Sequence, residues 1–70
     1  METTYRIQIL DETNQIVYFD RIKSSYGIHR VITSCAGGKT YHSYSSAEID
    51  ASRVRKYYSA DCIVEIIKLQ

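Results

Sequence analysis

Ala47, Ala51, Val54 and Tyr58 are separated by four, three and four positions, a spacing that stacks them along one side of an α-helix. Ser45 followed three residues later by Glu48 predicts a capping box at the start of that helix, and Tyr44 with Ile49 predicts a hydrophobic staple across its first turn. Acids at Glu48 and Asp50 and bases at Arg53, Arg55 and Lys56 complement the helix dipole at its two ends. An apolar stripe of this kind must be covered by another layer, and the rest of the chain offers strands to cover it.

Tyr5, Ile7 and Ile9 alternate with Arg6 and Gln8, the two-residue period of a half-buried strand. The turn-forming run Asp11 to Gln15 then leads into Ile16-Val17-Tyr18-Phe19, so the two segments read as an antiparallel hairpin. The stretch Gly27 to Tyr44 has two readings, because Ile28, Val31, Ile32 and Cys35 also fit a helical face. Its β-branched residues favour a strand, with Gly37-Gly38 as a tight turn and Lys39 to Tyr44 as the return strand of a second hairpin. Cys62 to Leu69, apolar on both faces, reads as an inner strand. The expectation is one α+β domain over residues 1–70, β-β-β-β-α-β, with a mostly antiparallel twisted sheet and one helix packed on one face.

Seventy residues, 44% hydrophobic and 24% charged, place the chain in the globular range and outside the disordered one. A domain of this size hides only about 60% of the surface its unfolded chain exposes, so a shallow working surface is expected rather than a deep substrate cavity. The polar start Met1 to Arg6 has no signal-peptide pattern. The apolar run Cys62 to Leu69 is broken by Glu65 and Lys68 and is far shorter than the ~20 residues of a membrane span.

Motifs for chemistry are weak. Two cysteines (Cys35, Cys62) and two histidines (His29, His42) match a zinc-site inventory, but none of them forms the closely spaced pair that such sites use; buried reduced thiols and surface imidazoles account for them. A Cys35 nucleophile would need an orienting group and a water-excluding pocket that the sequence does not supply. Gly38-Lys39-Thr40 lacks the earlier glycine of a phosphate loop, since position 33 is Thr33. No catalytic residue, metal ligand or cofactor is nominated.

Charge distribution says more than the net charge of +1. No carboxylate occurs from Arg21 to Ala47, whereas Arg21, Lys23, Arg30 and Lys39 fall there with both histidines. Of the seven tyrosines, Tyr5, Tyr18 and Tyr58 lie on apolar faces, and Tyr26, Tyr41, Tyr44 and Tyr57 have polar or basic neighbours that predict exposure. The expected contact surface is a basic aromatic patch of Arg30, Lys39, Tyr41, His42, Tyr44, Arg53, Arg55, Lys56 and Tyr57. Tyrosine supplies rigid amphipathic contact area at such surfaces. The competing account is an ordinary solvated face in which tyrosine rings cover the sheet.

The layout of a strand Tyr5-Arg6-Ile7-Gln8-Ile9-Leu10, a hairpin, a helix from Ser46 through Val54 and a last strand resembles small phage-encoded proteins, anti-CRISPR inhibitors among them. The resemblance covers size and layout, without a diagnostic motif, so no functional residue is carried over. Small size and the concentrated basic segment lead to the expectation of a stoichiometric binding module or inhibitor, presented to an acidic surface of a larger protein or nucleoprotein complex. The resemblance implies a host defence complex as the target, in the cytoplasm, the host's for a phage-encoded chain. Direct nucleic-acid binding, with phosphate contacts and base stacking, is the second expectation. A homodimer through a sheet edge is compatible with both.

Overall fold

A computed structural model describes residues 3–58 and 61–69 of the chain. Its organising strand is β1 (Tyr5–Leu10), which has partners on both sides. β5 (Ile63–Lys68) runs antiparallel along one side from Tyr5↔Lys68 to Leu10↔Ile63. The other side is shared by β2 (Ile16–Ser25), opposite Gln8 to Leu10, and β4 (Thr40–Tyr41), opposite Tyr5 and Arg6. β3 (Ile28–Ser34) pairs antiparallel with β2, and α1 (Tyr44–Tyr57) lies between β4 and β5 in sequence. The architecture is the α+β arrangement that the sequence predicts, five antiparallel strands and one helix in the order β-β-β-β-α-β.

Alternation along β1 turns Ile7 and Ile9 toward the helix, where both are fully buried with Ala47, Ala51 and Val54 of the helical stripe. Phe19, Tyr41 and Val64 complete this core, and Tyr58 packs on its margin. Each large side chain removed from water here contributes on the order of 1.5–3 kcal/mol. The β1–β2 hairpin is held by Asp11, whose Oδ1 accepts hydrogen bonds from the Thr13 N–H (2.9 Å), the Thr13 hydroxyl (2.7 Å) and the Gln15 N–H (2.9 Å).

Three sequence expectations are corrected. β4 does not return beside β3; it pairs with β1. Gly38 passes against the Phe19 carbonyl, at φ +64°, and the Lys39 N–H bonds that carbonyl at 2.9 Å, so Gly37-Gly38 carries the chain across β2 rather than turning it back. β5 is an edge strand, paired with β1 alone among the described residues. The helix starts at Tyr44 with Ser43 as its N-cap, the Ser43 hydroxyl accepting from the Ser46 N–H at 3.2 Å. Ser45 therefore lies inside the helix, no acid falls in its first turn, and Ile49 stays 60% exposed with no staple. Ser43 wins because it alone still has extended backbone, φ −139° and ψ 146°, the geometry from which a hydroxyl reaches back to the first turn.

The second hairpin is β2–β3. Only Ile16 to Tyr18 of β2 pairs with β1; from Tyr18 to Ser25 the strand pairs with β3, ending at Ser25↔Ile28. A bulge lies between Phe19 and Arg21. Phe19 faces the core, and so do Ile22 and Val31 further out. Without the extra residue the two-residue period would turn Arg21 inward and Ile22 outward. The bulge reverses that phase, keeping the apolar pair on the helix side and Lys23 and Arg30 on the other face.

Candidate functional site

Beyond the bulge the β2–β3 hairpin is a two-stranded arm. Its turn is Tyr26-Gly27, with φ of 51° and 78°, positive at both central positions as a tight type I′ connection requires. Glycine adopts that conformation without penalty, but a bulky residue does so at a cost of order 1–3 kcal/mol. The Tyr26 side chain is also fully exposed, and its neighbour Ile28 is 67% exposed. An aromatic ring thus sits at the arm's apex in strained backbone, with no packing within the chain to offset the strain.

The arm's two faces differ. Ile22 and Val31 pack on the core, so His29, in phase with Val31, faces the helix. Its ring lies 4.6 Å from that of Tyr57, and its Nδ1 is 2.7 Å from the Ser24 hydroxyl. Lys56 Nζ sits 5.5 Å from the Tyr57 ring. The opposite face carries Lys23↔Arg30 and Ser25↔Ile28 as cross-strand pairs. With Tyr26 these four line an open cleft of about 330 Å³. Among the described residues no carboxylate forms an ion pair with Lys23 or Arg30.

The residues nominated from sequence do not assemble into one patch. Arg30 belongs to the outer face of the arm. Lys39 and Arg53 gather on one carboxylate, Asp50, at 3.6 and 3.9 Å, and with Phe19, Arg21 and Ile22 these three line a second cleft of about 270 Å³. Tyr41 is corrected from surface to core. It is 5% exposed, and its hydroxyl donates to Asp50 Oδ2 at 2.6 Å, because its strand brings the ring over the helix beside the buried residues of β1. Burial, with the Asp50 hydrogen bond, raises its pKa far above the ordinary tyrosine value. Lys56 and Tyr57 join His29 on the helix-side face of the arm, near its turn, and Arg55 turns to the far edge of the sheet, Nη2 3.3 Å from the Val64 carbonyl oxygen. Tyr44 is exposed and meets the Tyr5 ring edge-on at 5.8 Å, and His42 is exposed.

Lys23, Tyr26 and Ile28 are contact candidates left out of the expected patch, although Lys23 was counted in the basic stretch and Tyr26 among the exposed tyrosines. The signal was present: Gly27 follows a tyrosine between two β-rich runs, and reading it as a two-residue turn brings Lys23 opposite Arg30. Of the three tyrosines expected inside, Tyr5 and Tyr58 pack on the core, while half-buried Tyr18 lies under the Arg6 guanidinium, 5.9 Å from ring centroid to Cζ.

Among the described residues no group of three histidine, cysteine or acidic side chains is placed to hold a metal ion. Cys35 and Cys62 form no disulfide among the described residues; Cys35 is exposed rather than buried as expected, and the Cys62 thiol is pushed up in pKa chiefly by burial. No helix among the described residues is long and apolar enough to cross a membrane. No protein-family model, curated protein or solved structure matches the chain.

Proposed function

We propose that this chain is a non-catalytic binding protein, a stoichiometric inhibitor of the kind that phages direct at host defence complexes, and that it works by laying the β2–β3 arm on an acidic surface of a larger protein or nucleoprotein complex. The observation that carries this reading is the outer face of the arm, where Lys23 and Arg30, without a carboxylate partner among the described residues, stand beside an exposed Tyr26 and Ile28. Aromatic and arginine side chains at the centre of a contact with cations around them form the usual anatomy of a protein recognition surface, and positive charge steers an acidic partner into place. The open clefts, about 330 and 270 Å³, are at or below the small end of ligand pockets and favour contact over chemistry.

A second reading, direct binding of nucleic acid, is favoured by the form of the arm. A two-stranded ribbon fits the roughly 12 Å width of a duplex major groove, and Lys23 and Arg30 would reach its phosphates.

Affinity capture from the native host with wild type, Tyr26→Ala and the Lys23→Glu/Arg30→Glu double variant tests the first reading. A protein retained by wild type and lost by both variants supports it; equal retention by all three removes the arm from the contact. Titration of a random duplex oligonucleotide tests the second. Two phosphate contacts predict affinity falling about twelve-fold between 50 and 200 mM salt, and no binding at low salt eliminates it.

A further inference from the structure

We infer that two copies of this chain join edge to edge through β5, antiparallel about Ile66, into one continuous sheet. The Leu69 N–H donates to the Thr4 carbonyl at 2.8 Å. With the β1–β5 register this sets the phase of the ladder: Arg6↔Ile67, Gln8↔Glu65 and Leu10↔Ile63 exchange backbone bonds, and the N–H and C=O groups of Val64, Ile66 and Lys68 point away from the sheet. Among the described residues only Arg55 reaches any of them, at the Val64 carbonyl. Edges of this kind are ordinarily blunted by proline, a bulge, charged side chains or a covering segment; β5 does carry Glu65 and Lys68, but both face apolar residues in the pairing described below. The chain has no proline, and the β1–β5 register runs without interruption.

The edge is self-complementary in one register. A two-fold axis through Ile66 sets Ile66 opposite the partner's Ile66 and Val64 opposite the partner's Lys68, three outward pairs that each exchange two N–H···O=C bonds. On the face away from the helix it sets Ile63 opposite the partner's Leu69, and the reverse. These residues are 55% and 38% exposed in the single chain, and both occur twice in the junction. No like charges oppose each other, since Glu65 meets the partner's Ile67. Shifting the axis to Glu65 sets two carboxylates in direct opposition, which is unfavourable; shifting it to Ile67 leaves, within the described residues, two outward pairs, Ile66 with the partner's Lys68 and the reverse, and gives Ile63 no counterpart among them. Arg55 then acts as a cap on the single chain, displaced from the Val64 carbonyl when the partner's Lys68 N–H arrives. The arm belongs to β2 and β3, on the other side of β1, so pairing leaves both arms open, and the inference stands independently of the partner of the arm.

Sedimentation across a concentration series from about 5 to 500 μM tests it. Wild type is expected to shift from monomer to dimer. Lys68→Pro removes an outward N–H from an exposed position and leaves the β1–β5 bonds in place. It is expected to weaken association about tenfold or more, because the lost bond occurs twice. Ile63→Lys, also at an exposed site, is expected to weaken it through the face, and Arg55→Ala to strengthen it. Circular dichroism on each variant establishes that the fold is kept. A wild type that stays monomeric throughout, or a dimer insensitive to both Lys68→Pro and Ile63→Lys, overturns the inference.

Discussion

Gly38 packs against the carbonyl of Phe19 so closely that an added methyl group would collide with it, and its φ of +64° is one that side chains rarely adopt. This contact is where the chain leaves the arm and crosses to the far half of β1. Gly38→Ala is expected to destabilise the fold by about 2 kcal/mol or more, from backbone strain and the clash together. The check is the midpoint of urea unfolding at unchanged m-value. A loss below about 0.5 kcal/mol would show that the crossing has slack.

Tyr26 predicts a trade between stability and binding. Asparagine tolerates positive φ and suits the first position of a type I′ turn, so Tyr26→Asn is expected to stabilise the chain by about 0.5–1 kcal/mol. For a domain of this size that corresponds to a rise in Tm of about 2–8 °C. The same variant is expected to lose partner capture. A lower Tm would mean that the ring is supported within the chain.

Tyr41→Phe keeps the ring in the core and removes only the donor to Asp50, which retains Lys39 and Arg53. A cost of about 1 kcal/mol at neutral pH is expected. The folded state holds the Tyr41 proton more tightly than an ordinary phenol, whose pKa is 10.0. Its contribution is therefore complete below pH 10.0 and declines as the pH rises beyond it. Denaturation midpoints followed from about pH 9 to 12 should fall less steeply for Tyr41→Phe than for wild type.

At the acid end the corresponding group is Asp11. Its carboxyl is held below the ordinary value of 3.8, first by the Thr13 hydroxyl and then by the Gln15 and Thr13 N–H groups. A lowered pKa means that its contribution is present above 3.8 and is lost as the pH falls through the folded-state value. Asp11→Asn should flatten the decline in Tm between about pH 4.5 and 2; an unchanged slope would remove Asp11 as a cause.

Periodicity made β1 and the helical stripe legible, because both depend on a single spacing that tertiary structure left intact. It could not place β4. Two residues carry no period, and Gly37-Gly38 serves a close crossing as readily as a hairpin turn. The helix start was ambiguous for a similar reason, with Ser43, Ser45 and Ser46 all able to cap and the choice made by backbone direction. The basic block was visible as a charge run. Its division was not, because Asp50 lies eight residues beyond His42 in another element and returns in space to hold Lys39, Arg53 and Tyr41. The bulge at the base of the arm left no sequence signal, yet it decides that Ile22 meets the core.

Two-sided support of β1 also governs assembly of the molecule. Residues 5–10 need partners from residues 40–41 and 63–68, so the central strand waits with exposed apolar flanks until distant parts of the chain arrive. Most of the cost of closing those long loops falls before the stabilising contacts form. Folding should therefore be cooperative and governed by non-local closure, and a chain shortened at the last strand should fail as a whole rather than fray at one side.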